Sequence, residues 1–457
     1  MRITATVPLL LLSTAICAQP FGPQMDISLS ALLPRQIITA DLDGDGDQDV
    51  LSALSTSDMI AWYANDGLGG FGVQQNISSQ ADGANAVRAA DLDGDGDLDV
   101  LSASEIDDKV AWYANDGVGG FGPQQIISSQ VIQAGFVNSA DLDGDGDEDV
   151  ISASFATDKV AWYANDGLGG FGQEQVISTQ ADGVQYARAV DLDGDGDPDV
   201  ISASTTDSKI AWYPNDGSGA FGPQQIISSL AIGAHWVDTS DLDNDGDPDV
   251  ISASYYDSTV AWYANDGAGG FGPQQVISTQ AAGAWSVFAT DLDGDGDSDV
   301  LSASFGDDKI AYYLNNGMGG FGPQQIVSNQ ADRPVSVYAA DLDGDGDPDV
   351  LSASIFDDRI AWYENLLLTT AVSETSATEE LFLYPDPFST TATVLMDRDR
   401  GPLTLQVLDL GGRVLREERI GSYVRQFDLE RDGLAAGTYV LRLLRHEERA
   451  ALRFAIE

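Results

Sequence analysis

Five carboxylates stand at alternate positions in the run Asp41-Leu42-Asp43-Gly44-Asp45-Gly46-Asp47-Gln48-Asp49. Like charges this close repel one another unless a cation sits among them. Asp41, Asp43 and Asp45 would each offer one side-chain oxygen, Asp47 its backbone carbonyl, and Asp49 would close the shell with both oxygens. Gly46, at position six, permits the sharp turn. A flexible shell made only of oxygen favours calcium over magnesium, which demands near-octahedral geometry. Helix-flanked calcium loops open the same way but need an acid at position twelve, where this chain has Ser52. The sequence that follows, Val50-Leu51-Ser52-Ala53, is strand-like, so the ion is expected in a β-hairpin loop.

The run occurs seven times at a constant spacing of 50 residues, without insertion or deletion. The further copies are Asp91, Asp93, Asp95, Asp97 and Asp99; Asp141, Asp143, Asp145, Asp147 and Asp149; Asp191, Asp193, Asp195, Asp197 and Asp199. They continue with Asp241, Asp243, Asp245, Asp247 and Asp249; Asp291, Asp293, Asp295, Asp297 and Asp299; and Asp341, Asp343, Asp345, Asp347 and Asp349. Up to seven calcium ions are expected. No acid or base partners the loops and no coordination position is left open, so a structural ion is expected rather than a catalytic one. The fifth copy carries Asn244 where the others carry glycine, and asparagine tolerates left-handed backbone.

Two further markers keep the same period. AWYAN or a near variant starts at Ala61 and recurs to Ala361, and FGPQQ-like segments run from Phe21 to Phe321. Each unit holds four short segments of strand character separated by Asp-Gly and Asn-Asp-Gly turns. Four strands per 50 residues predict the blade of a β-propeller. The chain starts with a lone Phe21–Gln24 segment, and the seventh unit stops at Asn365 without one. The orphan can complete the last blade, giving seven blades from seven units and no exposed edge. Tryptophan-aspartate propellers have a shorter period, kelch propellers have no use for five aspartates, and the nonapeptide period of a calcium β-roll is absent.

DLDGDGDxDV together with NDGxGGFG resembles the FG-GAP and VCBS repeat family over Phe21 to Asn365. The resemblance implies a calcium-binding DxDxDGxxD loop on a propeller, as in integrin α heads and some fungal lectins. The family includes adhesins, lectins and enzyme-attached modules, so it implies a fold more strongly than a function.

The copies differ mainly in two stretches. One precedes the first strand (Arg35-Gln36, Asn85-Ala86, Gly135-Phe136, Gln185-Tyr186, His235-Trp236, Trp285-Ser286, Val335-Ser336), and the other follows the second strand (Ile106, Phe155, Thr206, Tyr255-Tyr256, Phe305, Phe356). Blade topology puts both on the rim opposite the aspartate loops. Phe136, Tyr186, His235, Trp236, Tyr256 and Trp285 are the candidate ligand contacts, since aromatics beside polar groups suit sugars and protein partners. The competing expectation is that these rings only fill the channel mouth. Trp62 and its counterparts at 112, 162, 212, 262 and 362 recur at one blade position and read as core, with Tyr312 standing in the sixth unit.

Arg2 and the short apolar stretch from Val7 to Ile16 read as a signal peptide over residues 1–18, with Ala15 and Ala18 offering cleavage points. The propeller is expected over residues 19–365, a Ser/Thr/Glu-rich linker over 366–380, and a small Ig-like β-sandwich over 381–457. LYPDPF, DLGGRVL and LAAGTYVLRL in that last part resemble the C-terminal sorting domain of type IX secretion. The family motif has asparagine where Asp386 stands, and Glu457 replaces a basic end. The resemblance implies the secretion machinery as a partner and an outer-surface or secreted location.

Composition narrows the classes. The 457 residues carry 21 basic against 74 acidic side chains, a formal net charge of −53. Phosphate affinity comes from Lys and Arg, so nucleic acid and bare anionic membrane are excluded as partners. Two histidines and Cys17 leave no zinc cluster and no disulfide framework. No apolar run is long enough for a transmembrane segment. An all-β, monomeric binding module for a glycan or extracellular protein is expected, not an enzyme, because the variable rim shows no nucleophile–base pair and no paired acids. A propeller serving as an enzyme scaffold and a passive surface protein are the alternatives.

Overall fold

The computed structural model describes residues 20–367 throughout and, further on, strands and short stretches between 381 and 456. The expected signal peptide, the linker beyond Leu367, Asp386 and the Gly411-Gly412 turn lie outside the described residues. The chain divides into two compact units between Leu367 and Leu368.

In the first unit a lone strand, β1 (Met25–Ser28), precedes a four-stranded antiparallel sheet. That sheet consists of β2 (Pro34–Ala40), β3 (Asp49–Leu54), β4 (Met59–Tyr63) and β5 (Gln75–Ser78) in sequence order. The residue types explain the order. β3 is buried at all six positions, as its apolar and small residues require of a strand covered on both faces. The hydroxyl of its Ser52 donates to the Gln36 carbonyl at 3.0 Å, and in the next sheet the equivalent Ser102 Oγ lies 3.2 Å from the Tyr113 hydroxyl. β5 is outermost and exposes Gln75 and Asn76. The turn from β3 to β4 holds Asp58 in the left-handed region at φ 57°, a conformation aspartate tolerates better than most residues.

Seven such four-stranded sheets form, and neighbours are fastened by the same three devices. Asp58 Oδ1 accepts the Gly83 N–H at 3.0 Å. Asn115 Nδ2 donates to the Leu42 carbonyl at 2.8 Å. Trp62 meets Phe121 edge-on, with centroids 6.4 Å apart. The same devices join the last sheet to the first: Asp358 Oδ1 accepts from Leu33 N at 3.0 Å, Asn65 Nδ2 donates to the Leu342 carbonyl at 2.9 Å, and Trp362 meets Phe71 at 6.5 Å. The last sheet draws on both ends of the unit. β1 pairs with Arg359–Tyr363, and Phe21 bridges Asn365 as Phe71 bridges Asn65. These repeated sheets fit a β-propeller. The tryptophans lie between sheets, with Trp62 only 3% exposed. Each large apolar side chain buried there stabilises the unit by about 1.5–3 kcal/mol relative to exposure.

The second unit contains two antiparallel sheets. One pairs Leu381–Tyr384, Thr391–Met396 and Gln426–Glu430, and the other orders Val414–Ile420, Leu403–Leu408, Gly437–Arg445 and Glu448–Ile456. Leu405 and Val407 are buried while Gln406 between them is not, the period of a strand with one covered face. Among the described residues no helix is long and apolar enough to cross a membrane.

Candidate functional site

The aspartate loops join the first strand of each sheet to the second. Asp41 arranges the loop backbone, its Oδ1 accepting from Gly44 N at 2.8 Å and its Oδ2 from Gly46 N at 3.1 Å. Asp45 Oδ1 accepts from Asp47 N at 3.0 Å. Asp49 has no exposed surface, and its oxygens accept from Leu42 N at 2.9 Å and Asn65 N at 2.8 Å. Its remaining lone pairs are what a cation could use. The Asp47 carboxylate packs against Gly67.

Carboxylate oxygens of Asp91, Asp93 and Asp99 come within 4.8 Å of one another, as do those of Asp41, Asp43 and Asp45 and of the matching groups in later loops. Position three supplies the diagnostic atom. Asp43, Asp93, Asp143, Asp193, Asp243 and Asp293 each bury an Oδ1 that has no hydrogen-bond partner. In the seventh loop the Asp343 Oδ1 accepts from Asp345 N at 3.3 Å, and the unpartnered buried oxygen is that of Asp347, at position seven. A buried anionic oxygen without a donor is costly, and the donor set is hard oxygen throughout, so these residues fit a divalent cation. Burial is the main force pushing Asp49, Asp99, Asp149, Asp199 and Asp249 up to about 6, Asp299 to about 7 and Asp349 to about 8, with neighbouring carboxylates adding to it. Asn244 takes the glycine's left-handed backbone at φ 59°, and its amide reaches Asp297 Oδ1 at 2.6 Å in the next loop.

At the other end of the first strands lies the variable face. Seven residues of strand put residue 34 roughly 20 Å from the loop, and Pro34 pairs with Leu54, so both variable stretches share that end. Most residues at positions 36 and 38 of the units line an axial cavity, joined by Ile37, Val87 and Val337, and position 37 is buried in every sheet. Phe136, Tyr186 and Trp236, from three consecutive sheets, pack on one another, with centroids 3.9 Å apart for Phe136–Tyr186 and 4.2 Å for Tyr186–Trp236. They form a plug. Inside it lies a cavity of about 50 Å³ and outside it one of about 240 Å³.

The outer cavity draws one residue from the same repeat position in each of six sheets: Arg35, Asn85, Gly135, Gln185, His235 and Trp285. Gln36, Glu105, Gln133, Phe136, Phe155 and Trp236 complete its wall. His235 stacks on Trp285 at 4.0 Å, and its Nδ1 lies 3.1 Å from the Trp285 carbonyl. Burial lowers its pKa to about 4, so the ring is neutral, donates through Nδ1 and leaves Nε2 as an acceptor. Burial also lowers the Arg35 pKa, against the pull of Glu105, and the Arg35 Nε has no hydrogen-bond partner. Trp285 stacks on Phe305 at 5.1 Å.

Of the candidate contacts, the structure therefore gathers His235, Trp236 and Trp285 around the outer cavity and uses Phe136 and Tyr186 mainly as the plug. Tyr256 is 67% exposed, packs on Tyr255 and does not line the cavity. Glu105, Gln133, Arg88, Arg188 and Asp238 were not singled out as site residues. For the last three the signal was a charge at position 38, where the first unit has Ile38. The outer wall contains no serine, threonine, cysteine or lysine.

Comparison with known proteins agrees with the repeat. The FG-GAP-like repeat model matches residues 41–102, 91–152, 141–202, 191–252, 241–302 and 291–352. No curated protein matches the chain. An Agrocybe aegerita lectin, described as recognising non-reducing terminal N-acetylglucosamine, is a similar solved structure at 22% identity, covering 64% of this chain and 80% of its own with a TM-score of 0.49. A fungal alcohol oxidase in complex with copper is similar at 13% identity, covering 96% of this chain and 100% of its own, also with a TM-score of 0.49. The chain belongs to the FG-GAP-like repeat family.

Proposed function

We propose that this protein is a calcium-stabilised seven-bladed β-propeller that binds a saccharide at the mouth of its axial channel, and that it is not an enzyme. The observation that carries this reading is the outer cavity, where Trp236, Trp285 and Phe155 share one wall with Arg35, Asn85, Glu105, Gln133 and Gln185. A sugar ring has apolar C–H faces that rest on aromatic rings, and hydroxyls that amides, carboxylates and guanidinium groups bond in the ring plane. Pockets for drug-sized ligands run to ~300–1,000 Å³, so about 240 Å³ suits one terminal ring with the remainder in solvent. The site occurs once per chain because the seven copies differ at the positions that build it.

Calcium would be held in each loop by the aspartates at positions one, three, five and nine with the carbonyl of position seven. It would neutralise the buried position-three oxygen and cross-link the loop. The exposed Tyr256 and Phe356, 67% and 56% accessible, support a second reading in which a protein surface is the ligand. The C-terminal unit, as a small sandwich of the type IX sorting kind, would direct the protein to the outer surface. A glycan array probed with the full mature chain tests the main reading. Binding to a defined terminal sugar, lost on Trp285→Ala, is expected. No bound glycan, or binding indifferent to both Trp285→Ala and Trp236→Ala, would overturn it.

A further inference from the structure

We propose that the inner cavity, behind the aromatic plug, is a binding site for chloride. Arg88 and Asp238 line this cavity at position 38 of their units, and Arg188, at the same position of the fourth unit, reaches it only through its pair with Asp238. That acid is already engaged. Its Oδ1 takes Arg188 and the Thr239 N–H, and its Oδ2 accepts the Ala289 N–H at 3.0 Å. Arg88 Nε is buried and has no hydrogen-bond partner.

The other polar groups around the cavity are neutral. The Gln36 Oε1 accepts the Val87 N–H at 2.9 Å, which leaves its amide N–H groups as donors. Asn138, Tyr186 and Tyr338 can also donate. With Arg188 satisfying Asp238, the Arg88 charge at the cavity is left without a counter-charge, in a space lined by donors and closed towards the variable face by Phe136, Tyr186 and Trp236. An unmatched cation in such a place is expensive unless a counter-ion joins it.

Size and charge select the ion. A water needs ~10–15 Å³ of this kind of space, so about 50 Å³ admits a few particles of that size. A halide with a water or two fits and supplies the single missing charge. Sulfate or phosphate would bring more charge than the site lacks and more volume than it offers. The aspartate loops lie at the far end of the strands and have the opposite sign, so this site is independent of the calcium and saccharide readings.

Crystals of the full chain grown or soaked in sodium bromide, measured at the bromine edge, test the proposal directly. One anomalous peak on the axis within hydrogen-bonding reach of Arg88 is expected. Thermal melts at equal ionic strength and equal calcium provide the second measurement. The propeller transition should lie on the order of 2 °C higher in chloride than in gluconate, and Arg88→Met should abolish the difference. If that variant does not fold, the bromide map of the unaltered protein still decides. An axial cavity without a bromide peak, or a chloride effect that persists in folded Arg88→Met, would overturn the proposal.

Discussion

Two aspartates of the same loop should respond oppositely to calcium. Asp149 is fully buried, and its carboxylate accepts Leu142 N at 2.9 Å and Asn165 N at 2.8 Å. Asp149→Ala leaves two buried N–H groups without acceptors, at about 1–3 kcal/mol each, so the propeller should lose roughly 2–6 kcal/mol with or without metal. Asp143 differs: its Oδ1 is buried with no hydrogen-bond partner, and burial together with the neighbouring Asp145 and Asp141 raises its pKa against a single opposing backbone hydrogen bond from Asp145, so the protein alone gains little from it. Asp143→Ala should therefore be neutral in chelator, or slightly stabilising because a repelling charge is gone. In about 2 mM calcium, site affinities of ~10⁻⁴ to 10⁻³ M make each occupied loop worth about 0.6–1.8 kcal/mol, and Asp143→Ala should lose that amount. The assay is thermal or urea unfolding of both variants in calcium and in chelator. Asp149→Ala melting like the parent in chelator, or Asp143→Ala equally destabilised in both buffers, would refute the division of labour.

Three other outcomes are expected. Removing residues up to Ser28 should destabilise the propeller and promote self-association, because Arg359–Tyr363 loses its partner strand and becomes an open edge; size-exclusion chromatography and melting check this. The folded His235 pKa of about 4 lies below its ordinary value of 6.5, so the unfolded chain binds more protons between those limits. Stability should then fall by about 1–3 kcal/mol as pH drops from about 6.5 to about 4, and the difference between parent and His235→Gln, followed by pH-dependent unfolding, isolates it from the aspartates. Gly119→Ala should cost more than about 1 kcal/mol, since φ is 77° and the added Cβ would lie 2.6 Å from the Trp62 ring; an unchanged melting temperature would show that the Trp62 contact is loose.

Much of the frame was legible because it is periodic. Seven identical aspartate runs, the orphan Phe21 segment and the recurring Trp62 position each pointed to one place in a repeated sheet, and β1 pairs with the strand the orphan argument named. The site was harder for the same reason. Variation at positions 35 and 36 marked the face where the outer cavity lies, but aromatic identity alone does not say which ring packs and which faces solvent. Phe136 and Tyr186 pack on each other from neighbouring sheets, whereas Tyr256, chosen by the same criterion, rests on Tyr255 outside the cavity. Those outcomes depend on how neighbouring sheets present their first strands to one another, a relation between residues 50 and 100 apart that no local pattern carries. The charges at position 38 were visible in sequence, yet a charge in a strand usually means a solvated face, and only the closure of the sheets turns Arg88 and Arg188 inward.

The central claim is a single axial saccharide site. The most direct measurement is the number of sugars bound per chain, by native mass spectrometry or calorimetry on the calcium-loaded protein, using the glycan the array selects. One site per chain, lost in Trp285→Ala with the fold intact, is the predicted result. A stoichiometry near seven, which would place binding on the repeated blade surface, or one site that survives removal of both Trp236 and Trp285, would contradict it.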